Sequence, residues 1–325
     1  MYNKIIYDKA EAEINRRRLN AKSILQERQT EVYLKVPEIK EIENQLSQTN
    51  VELIKLVLSK DGNFQSNFNR IKEQNLSAQA MLSEILLKAG FPKDYLLTPF
   101  VCKKCNDTGI LEGERCSCYQ EILNKIAVTA LNKSANLPIC DFEHFSLEFY
   151  KSTDDNTDCY DKMKRIYEAC INYANTFTTS SQSLLFYGNT GLGKTHLSLA
   201  VAKAVTERGF NVAYGSLLNF LSDIEKEHFG KSDSDYDTMN VLINADLLVI
   251  DDLGSEFHTS FYETATYNII NSRINLSLPT IISTNLPVNS MQDVYNDRII
   301  SRIFGAYTTF YFVGQDIRQQ KRLKG

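Results

Sequence analysis

Residues 183–197, SLLFYGNTGLGKTHL, contain the part of the sequence that decides the fold. A short apolar run is followed by the pattern G-x4-G-K-[ST], and the residues after it are suited to a helix. Glycines in such a loop let backbone N–H groups wrap around phosphate oxygens, because no Cβ atom stands in the way, and the helix turns its positive dipole end toward the same phosphates. We therefore predict a phosphate-binding loop made of Gly188, Asn189, Thr190, Gly191, Leu192, Gly193, Lys194, Thr195 and His196.

Around this loop, apolar runs alternate with helical stretches. The strand-like runs are 184–187, 211–214, 247–250, 280–283 and 309–313. Apolar strands separated by helices are typical of a parallel sheet that is covered on both faces. The sequence therefore predicts an α/β fold with a five-stranded parallel sheet.

Charged and hydroxyl side chains near the loop are predicted to complete a nucleotide site. Lys194 is placed to neutralise the β- and γ-phosphates, and the Thr195 hydroxyl to bind Mg²⁺. The run 247–250 ends in Asp251 and Asp252, and two ionised carboxylates at the carboxyl edge of a sheet repel each other unless a cation lies beside them. We assign Asp251 to Mg²⁺ and Asp252 to polarisation of the attacking water.

Three more residues are candidates for positioning phosphates. Asn285 follows the run 280–283, where its amide is suited to hold the γ-phosphate and the water. Arg298 and Arg302 are four residues apart and share one face of a helix. Such a pair is usually solvated, but beside a nucleotide site it can serve as an arginine finger offered to a neighbouring subunit.

Four of the seven cysteines are clustered with the spacing C-x2-C-x10-C-x-C. This spacing lets two pairs of thiolates surround one tetrahedral ion, although the final C-x-C is tighter than usual. Because thiolates would fill every position, we predict a structural Zn²⁺ site, with unrelated thiols or a redox or iron–sulfur role as alternatives. The predicted ligands are Cys102, Cys105, Cys116 and Cys118.

The composition shifts along the chain predict four regions. Residues 1–98 are predicted to be helical and suited to dock a partner, although a plain helical bundle fits equally well. The cysteine loop and a helix occupy 99–131, a linker and a further helix occupy 132–182, and the α/β domain occupies 183–325.

Overall charge and hydropathy exclude several classes of protein. Lys and Arg number 36 against 40 Asp and Glu, a net charge of −4, so any contact with nucleic acid must be local. Apolar runs such as 247–250 are far shorter than the about 20 residues of a membrane helix, and the N-terminus lacks the apolar stretch of a secretory signal. We expect a cytoplasmic protein without a membrane partner.

The motifs together resemble the AAA+ family of P-loop ATPases, and within it the bacterial and phage replicative helicase loaders of the DnaC/DnaI type. The resemblance covers about residues 140–320. The upstream cysteine loop and helices resemble the Gram-positive branch of these loaders. The resemblance rests on GNTGLGKTHL (188–197), ADLLVIDDLGSE (245–256), YNIINSRI (267–274), TIISTNL (280–286), DRIISRI (297–303) and GQDIR (314–318).

The resemblance implies roles for individual residues near the nucleotide. Asn285 corresponds to sensor 1, and Arg318 to a sensor-2-like arginine. Arg302 is the first candidate for the finger that acts on a neighbouring subunit, and Arg298 is the second. Only twelve residues follow the last predicted strand, so we expect no helical lid domain after the sheet.

The chain departs from most AAA+ proteins at Asp252, where a Glu is common. The shorter side chain favours slow, switch-like hydrolysis, and Glu256 is a candidate to share its role.

The resemblance also implies contacts with single-stranded DNA, which correspond here to Lys226, Phe229, Lys231 and Phe261. Stacking on aromatic rings combined with lysine charge is the chemistry that single strands require. A packed phenylalanine beside solvated lysines explains each position equally well.

These expectations describe an ATP-dependent loader of the hexameric replicative helicase onto single-stranded DNA. It would use ATP/ADP, Mg²⁺ and structural Zn²⁺, and it would self-associate through the ATP site. The alternatives are a transposition-associated ATPase that delivers a transposase to DNA, a small-molecule P-loop kinase, and a nucleotide-switch adaptor with little turnover.

Overall fold

The computed structural model describes residues 4–58, 64–135, 140–151, 157–230, 236–256, 259–295 and 297–324. The chain divides into two compact units. The smaller is Glu11–Tyr119, and the larger combines Met1–Ala10 with Gln120–Gly325. Each unit contains a hydrophobic cluster of its own.

The smaller unit is mainly helical, and its turns follow from proline and glycine. The first helix ends just before Pro37, because proline has no N–H to continue the ladder. Gly90 ends the third helix with φ +84°, and the Phe91 N–H bonds the Leu86 carbonyl at 2.9 Å in a Schellman arrangement. Leu86 and Phe91 then pack in the same apolar cluster. The elements are the part of α1 (Lys4–Lys35) after Ala10, α2 (Glu38–Leu58), α3 (Phe64–Lys88), the antiparallel pair β1 (Ile110–Leu111) and β2 (Glu114–Arg115), and the start of α4 (Ser117–Ala135).

The larger unit is built on a five-stranded sheet in which all neighbours are parallel. The strand order is β4-β5-β6-β3-β7, so the predicted α/β fold with a parallel five-stranded sheet is confirmed. The strands are β3 (Ser183–Tyr187), β4 (Val212–Ser216), β5 (Leu247–Leu253), β6 (Thr280–Thr284) and β7 (Tyr307–Tyr311).

The last strand begins two residues earlier than the predicted run 309–313. It lies at an edge of the sheet, and Thr308 and Thr309 are exposed, so its early residues are not apolar. Phe312, which helped to mark the predicted strand, lies just after β7 and is buried in the core.

Helices and one 3-10 turn surround the sheet. The α6 helix packs against β4, β5 and β6, α5 packs on α6, and α11 contacts α9 and β7. Among the helices described, none is long and apolar enough to cross a lipid bilayer. The elements are the 3-10 turn Leu147–Tyr150, α5 (Thr157–Thr176), α6 (Lys194–Glu207), α7 (Leu217–His228), α8 (Thr238–Asn244), α9 (Ser260–Asn275), α10 (Val288–Val294), α11 (Asp297–Ala306) and α12 (Ile317–Lys324).

A buried arginine joins several of these elements. Arg273 on α9 is fully buried, and burial lowers its pKa to about 10. Its guanidinium binds oxygens from the end of α8 and the start of β6, which keeps the charge hydrogen-bonded inside the core. The acceptors are the carbonyls of Leu242 (2.8 Å), Ile243 (3.0 Å), Ala245 (2.9 Å) and Pro279 (2.5 Å) and the hydroxyl of Thr280 (2.8 Å).

Replacing Arg273 with Met should lower the free energy of unfolding by about 3 kcal/mol or more, because four carbonyls, three of them buried, lose their donor. Urea denaturation followed by circular dichroism measures this change. Arg165→Met, at an exposed position of α5, is the matched control and should change stability by less than about 0.5 kcal/mol. Equal unfolding midpoints for the two variants would contradict the structural role of Arg273.

Candidate nucleotide site and zinc site

A cavity of about 520 Å³ opens where the phosphate loop, the paired acids and the end of β6 meet. Because the strands are parallel, their carboxyl ends lie at one edge of the sheet, and the motifs at the ends of β3, β5 and β6 converge there. The predicted residues that line this cavity are Thr190, Gly191, Leu192, Gly193, Lys194, Thr195, His196, Asp251, Asp252, Asn285 and Arg318.

The Lys194 ammonium is held among oxygens at the centre of this site. It donates to the carbonyls of Gly188 (2.8 Å) and Asn189 (2.7 Å) and to Oδ1 of Asn285 (2.7 Å). Burial lowers the pKa of Lys194 to about 8, although Asp252 and Asp251 act in the opposite direction. The predicted loop residues Gly188 and Asn189 thus contribute carbonyls that fasten the lysine.

The hydroxyl and carboxylate predicted to hold Mg²⁺ are adjacent. Thr195 Oγ1 lies 2.9 Å and 3.0 Å from the two carboxylate oxygens of Asp251, and Ser283 Oγ donates to Asp251 at 2.5 Å. Oxygen ligands from one or two protein groups, together with phosphates, are what Mg²⁺ requires, so these residues fit the ion. When bound, Mg²⁺ would neutralise charge that develops on the phosphates.

Asp252 reaches the cavity through an irregularity in β5. In a regular strand, successive side chains point to opposite faces, yet both Asp251 and Asp252 line the cavity. Asp252 has φ +60°, and the pairing of β5 with β6 shifts between Ile250 and Leu253. The Asp252 N–H donates to Ser283 Oγ (3.0 Å), and Asn285 Nδ2 donates to the Asp252 carboxylate (2.5 Å).

Glu256 was a candidate to share the role of Asp252, but the structure does not place it among the described residues that line the cavity. Its side chain is buried. One carboxylate oxygen accepts the Gly254 N–H at 2.9 Å, and the other accepts the Tyr295 hydroxyl.

The two finger candidates lie away from the cavity of their own chain, since neither is among its described lining residues. Arg302 donates to the Tyr267 hydroxyl (3.1 Å), and its guanidinium carbon lies 5.4 Å from the centre of that ring. Arg298 is exposed and lines a small depression with Glu263, Thr264 and Tyr267. The two arginines therefore flank one tyrosine on the α9–α11 surface.

One wall of the cavity comes from residues 140–149, which lie within the predicted linker 132–182. Cys140, His144, Ser146 and the rings of Phe145 and Phe149 line it, as does Lys321 from α12. The aromatic residues along this polar segment indicate that part of it packs against the domain. Their spacing does not indicate that they line the cavity.

The four predicted zinc ligands are brought together in the smaller unit. Their sulfur atoms lie within 4.8 Å of one another, with Cys102–Cys116 at 3.8 Å and Cys105–Cys118 at 3.5 Å. A tetrahedral zinc with bonds of about 2.3 Å requires sulfur separations of about 3.8 Å, so the residues fit the ion.

Local backbone geometry shapes this cysteine loop. The buried Asp107 carboxylate accepts the N–H groups of Val101 (2.9 Å) and Cys102 (2.8 Å). Gly113, with φ +86°, sits in the turn between β1 and β2, as expected for a short ribbon between the two cysteine pairs. Burial opposes ionisation of Cys105, but the Gly109 N–H and the neighbouring thiols lower its pKa to about 7.

Two of the predicted DNA contacts form part of an aromatic cluster. The ring centres of Phe229 and Phe261 are 6.3 Å apart, and His228 lies within 5.4 Å of both. Phe229 is exposed, and the Lys226 ammonium lies 3.4 Å from Asp223. Lys231 lies outside the described residues. His228 was not predicted, because no motif marks it.

The chain is similar to several known proteins. Residues 161–305 match the family of IstB-like ATP binding proteins. The replicative helicase loader DnaC of Escherichia coli (strain K12) is 25% identical over 194 residues, covering 59% of this chain and 73% of that protein. A protein in an insertion sequence of Mycobacterium tuberculosis is 25% identical over 152 residues, covering 44% of this chain and 58% of that protein. The crystal structure of the DnaC helicase loader aligns with a TM-score of 0.44 and 22% identity, over 53% of this chain and 98% of that one.

The purified chain should contain one zinc ion, and Cys102→Ser should lose most of it, because three thiolates and a hydroxyl bind zinc far more weakly than four thiolates. Elemental analysis by mass spectrometry measures the ratio of zinc to protein. Cys159→Ser removes a thiol outside the cluster and should keep the zinc. Equal zinc content in the two variants would contradict the site.

Binding of Mg·ATP should weaken about tenfold between pH 7 and pH 9, because the Lys194 pKa of about 8 leaves most of the lysine neutral at pH 9 and the phosphates bind its charged form. Binding at pH 9 should therefore take up nearly one proton, which calorimetry in buffers of different ionisation heat measures. Lys194→Arg stays charged at both pH values and should show no such uptake. The same uptake in both proteins would place the titrating group elsewhere.

Proposed function

We propose that this chain, an AAA+ ATPase related to the DnaC/DnaI helicase loaders and to IstB, uses ATP to load the hexameric replicative helicase onto single-stranded DNA during replication initiation. The observation that carries the proposal is the convergence of the phosphate loop, the paired acids and Asn285 on one cavity, with both candidates for the arginine finger, Arg298 and Arg302, outside its described lining. Similarity to DnaC supports the choice of partner.

Hydrolysis would follow from the contacts in the cavity. The loop and Lys194 bind the β- and γ-phosphates, and Thr195 with Asp251 supplies oxygen ligands for Mg²⁺. The Asp252 carboxylate polarises the attacking water, and the neighbouring Asn285 amide orients it. Because Asn285 also bonds Lys194 and Asp252, the water has to displace an existing contact, which is consistent with slow turnover.

Self-association through the ATP site would complete the catalytic machinery. The Arg302 guanidinium lies on the α9–α11 surface and is not among the described residues that line the cavity of its own chain. A neighbouring subunit that presents its cavity to this surface would receive Arg302, or the exposed Arg298 beside it, as a source of positive charge. The rate of ATP hydrolysis would then depend on assembly of the subunits.

The helical unit is our candidate for the surface that binds the helicase. On α2, Val51, Ile54 and Val57 lie three residues apart and are 48%, 60% and 62% exposed, which places an apolar stripe on the outside of the helix. Buried apolar side chains at the centre of an interface carry most of its binding energy.

Single-stranded DNA would bind the aromatic cluster of His228, Phe229 and Phe261. Exposed rings accept bases by stacking without regard to sequence, and Lys226 adds charge toward the backbone. The net charge of −4 is compatible with such a local contact.

Copurification with the replicative hexameric helicase tests the loader proposal. The wild-type chain should form a stable complex, and Ile54→Asp should weaken it at least about tenfold, since a hot-spot side chain contributes about 2 kcal/mol or more. Asn50→Asp adds the same charge to the same helix without removing apolar surface, and it should bind as the wild type does. If the wild-type chain binds no helicase, the loader proposal is wrong.

A transposition-associated ATPase is the second candidate. The match to IstB-like proteins and the similarity to a protein in an insertion sequence favour it. The same copurification with a transposase in place of the helicase distinguishes the two functions.

A further inference from the structure

A buried tyrosine, Tyr150, contacts the phosphate loop from the core side. Tyr150, in the 3-10 turn, is 2% exposed, and its hydroxyl donates to the Leu192 carbonyl at 2.8 Å. Burial raises the pKa of Tyr150 well above its ordinary value, so the hydroxyl keeps its proton. No motif in the sequence marks this residue.

Two glycines make room for the tyrosine ring. A Cβ atom at Gly193 would lie 2.9 Å from the Tyr150 hydroxyl and 2.8 Å from Phe145, and a Cβ at Gly314 would lie 3.1 Å from the Tyr150 ring. The ring therefore sits between the phosphate loop and the segment that leads to Arg318. Any larger residue at Gly193 would push the loop off this support.

The hydrogen bond to Leu192 controls the direction of an N–H group. In a planar trans peptide, the carbonyl and the N–H point in opposite directions. When Tyr150 holds the Leu192 carbonyl on the core side, the Gly193 N–H of the same peptide must face the other way, toward the cavity that Gly193 lines.

This peptide needs an external restraint because of its glycine. Turning the peptide over changes φ of Gly193, and glycine adopts either sign of φ with little cost. Gly193 has φ +84° at the start of α6. The preceding peptide is restrained in the same way, since the Gly191 carbonyl accepts the Ile317 N–H at 3.0 Å.

We propose that Tyr150 is a positioning residue for nucleotide binding: its hydroxyl holds the 192–193 peptide so that the Gly193 N–H is aimed at the bound phosphates. The inference rests on the proposed function only in that the cavity binds ATP. It requires neither the helicase nor DNA.

The test compares Tyr150→Phe with Tyr167→Phe. Each variant removes one hydroxyl from the same aromatic cluster, but Tyr167 donates to the Phe142 carbonyl (3.1 Å), away from the loop. Affinities for Mg·ATP and for adenosine are measured by competition against a fluorescent ADP. Adenosine has no phosphate, so it reports on the rest of the site.

Tyr150→Phe should weaken Mg·ATP binding about tenfold and change adenosine binding less than about twofold. Tyr167→Phe should change both less than about twofold. Spectra of the chain labelled with ¹⁵N-glycine should show a shifted or broadened Gly193 amide in Tyr150→Phe, while Gly209 and Gly230, in open turns, stay unchanged.

Unchanged Mg·ATP affinity in Tyr150→Phe would overturn the inference, and so would an equal loss for ATP and adenosine, which would indicate a general structural role. If the wild-type chain bound no Mg·ATP, the proposed function itself would fail. A chain that binds Mg·ATP but no helicase leaves the role of Tyr150 standing.

Discussion

The contact between the Lys194 ammonium and three oxygens is the interaction on which the candidate nucleotide site depends. A desolvated charge is costly unless it is hydrogen-bonded, and here the Gly188 and Asn189 carbonyls and the Asn285 amide oxygen supply the bonds. Two of these oxygens belong to the loop after β3, and the third follows β6. The lysine therefore joins the ends of two neighbouring strands, β3 and β6.

Asp252 extends this arrangement to β5 at the expense of regular strand geometry. A non-glycine residue in the left-handed region costs about 1–2 kcal/mol in conformational free energy. The pairing of β5 with β6 on either side of Asp252, at Ile250 and Leu253, offsets this cost. In return, both carboxylates face one cavity, and Asn285 bonds Asp252 with one end of its amide and Lys194 with the other. Lys194 and Asp252 are thus coupled through a single side chain.

The two units differ in the size of their hydrophobic clusters. The larger one surrounds its sheet with an apolar cluster and even buries a hydrogen-bonded arginine, Arg273. The smaller one has a cluster of only a few fully buried side chains among its described residues, and it leaves an apolar stripe on α2 outside. A metal held by four thiolates would supply stability that such a core lacks.

Spacing along the chain was enough to locate the phosphate loop, the parallel sheet, the paired acids and the four cysteines, because each depends on residues that are neighbours in sequence or on a repeated pattern. Only the tertiary structure determines which distant residues contact these motifs. The bulge at Asp252, the burial of Glu256 against Tyr295 and the support of the loop by Tyr150 all involve contacts between separate elements. Such contacts depend on how strands and helices pack in three dimensions, and no local pattern of residues encodes them.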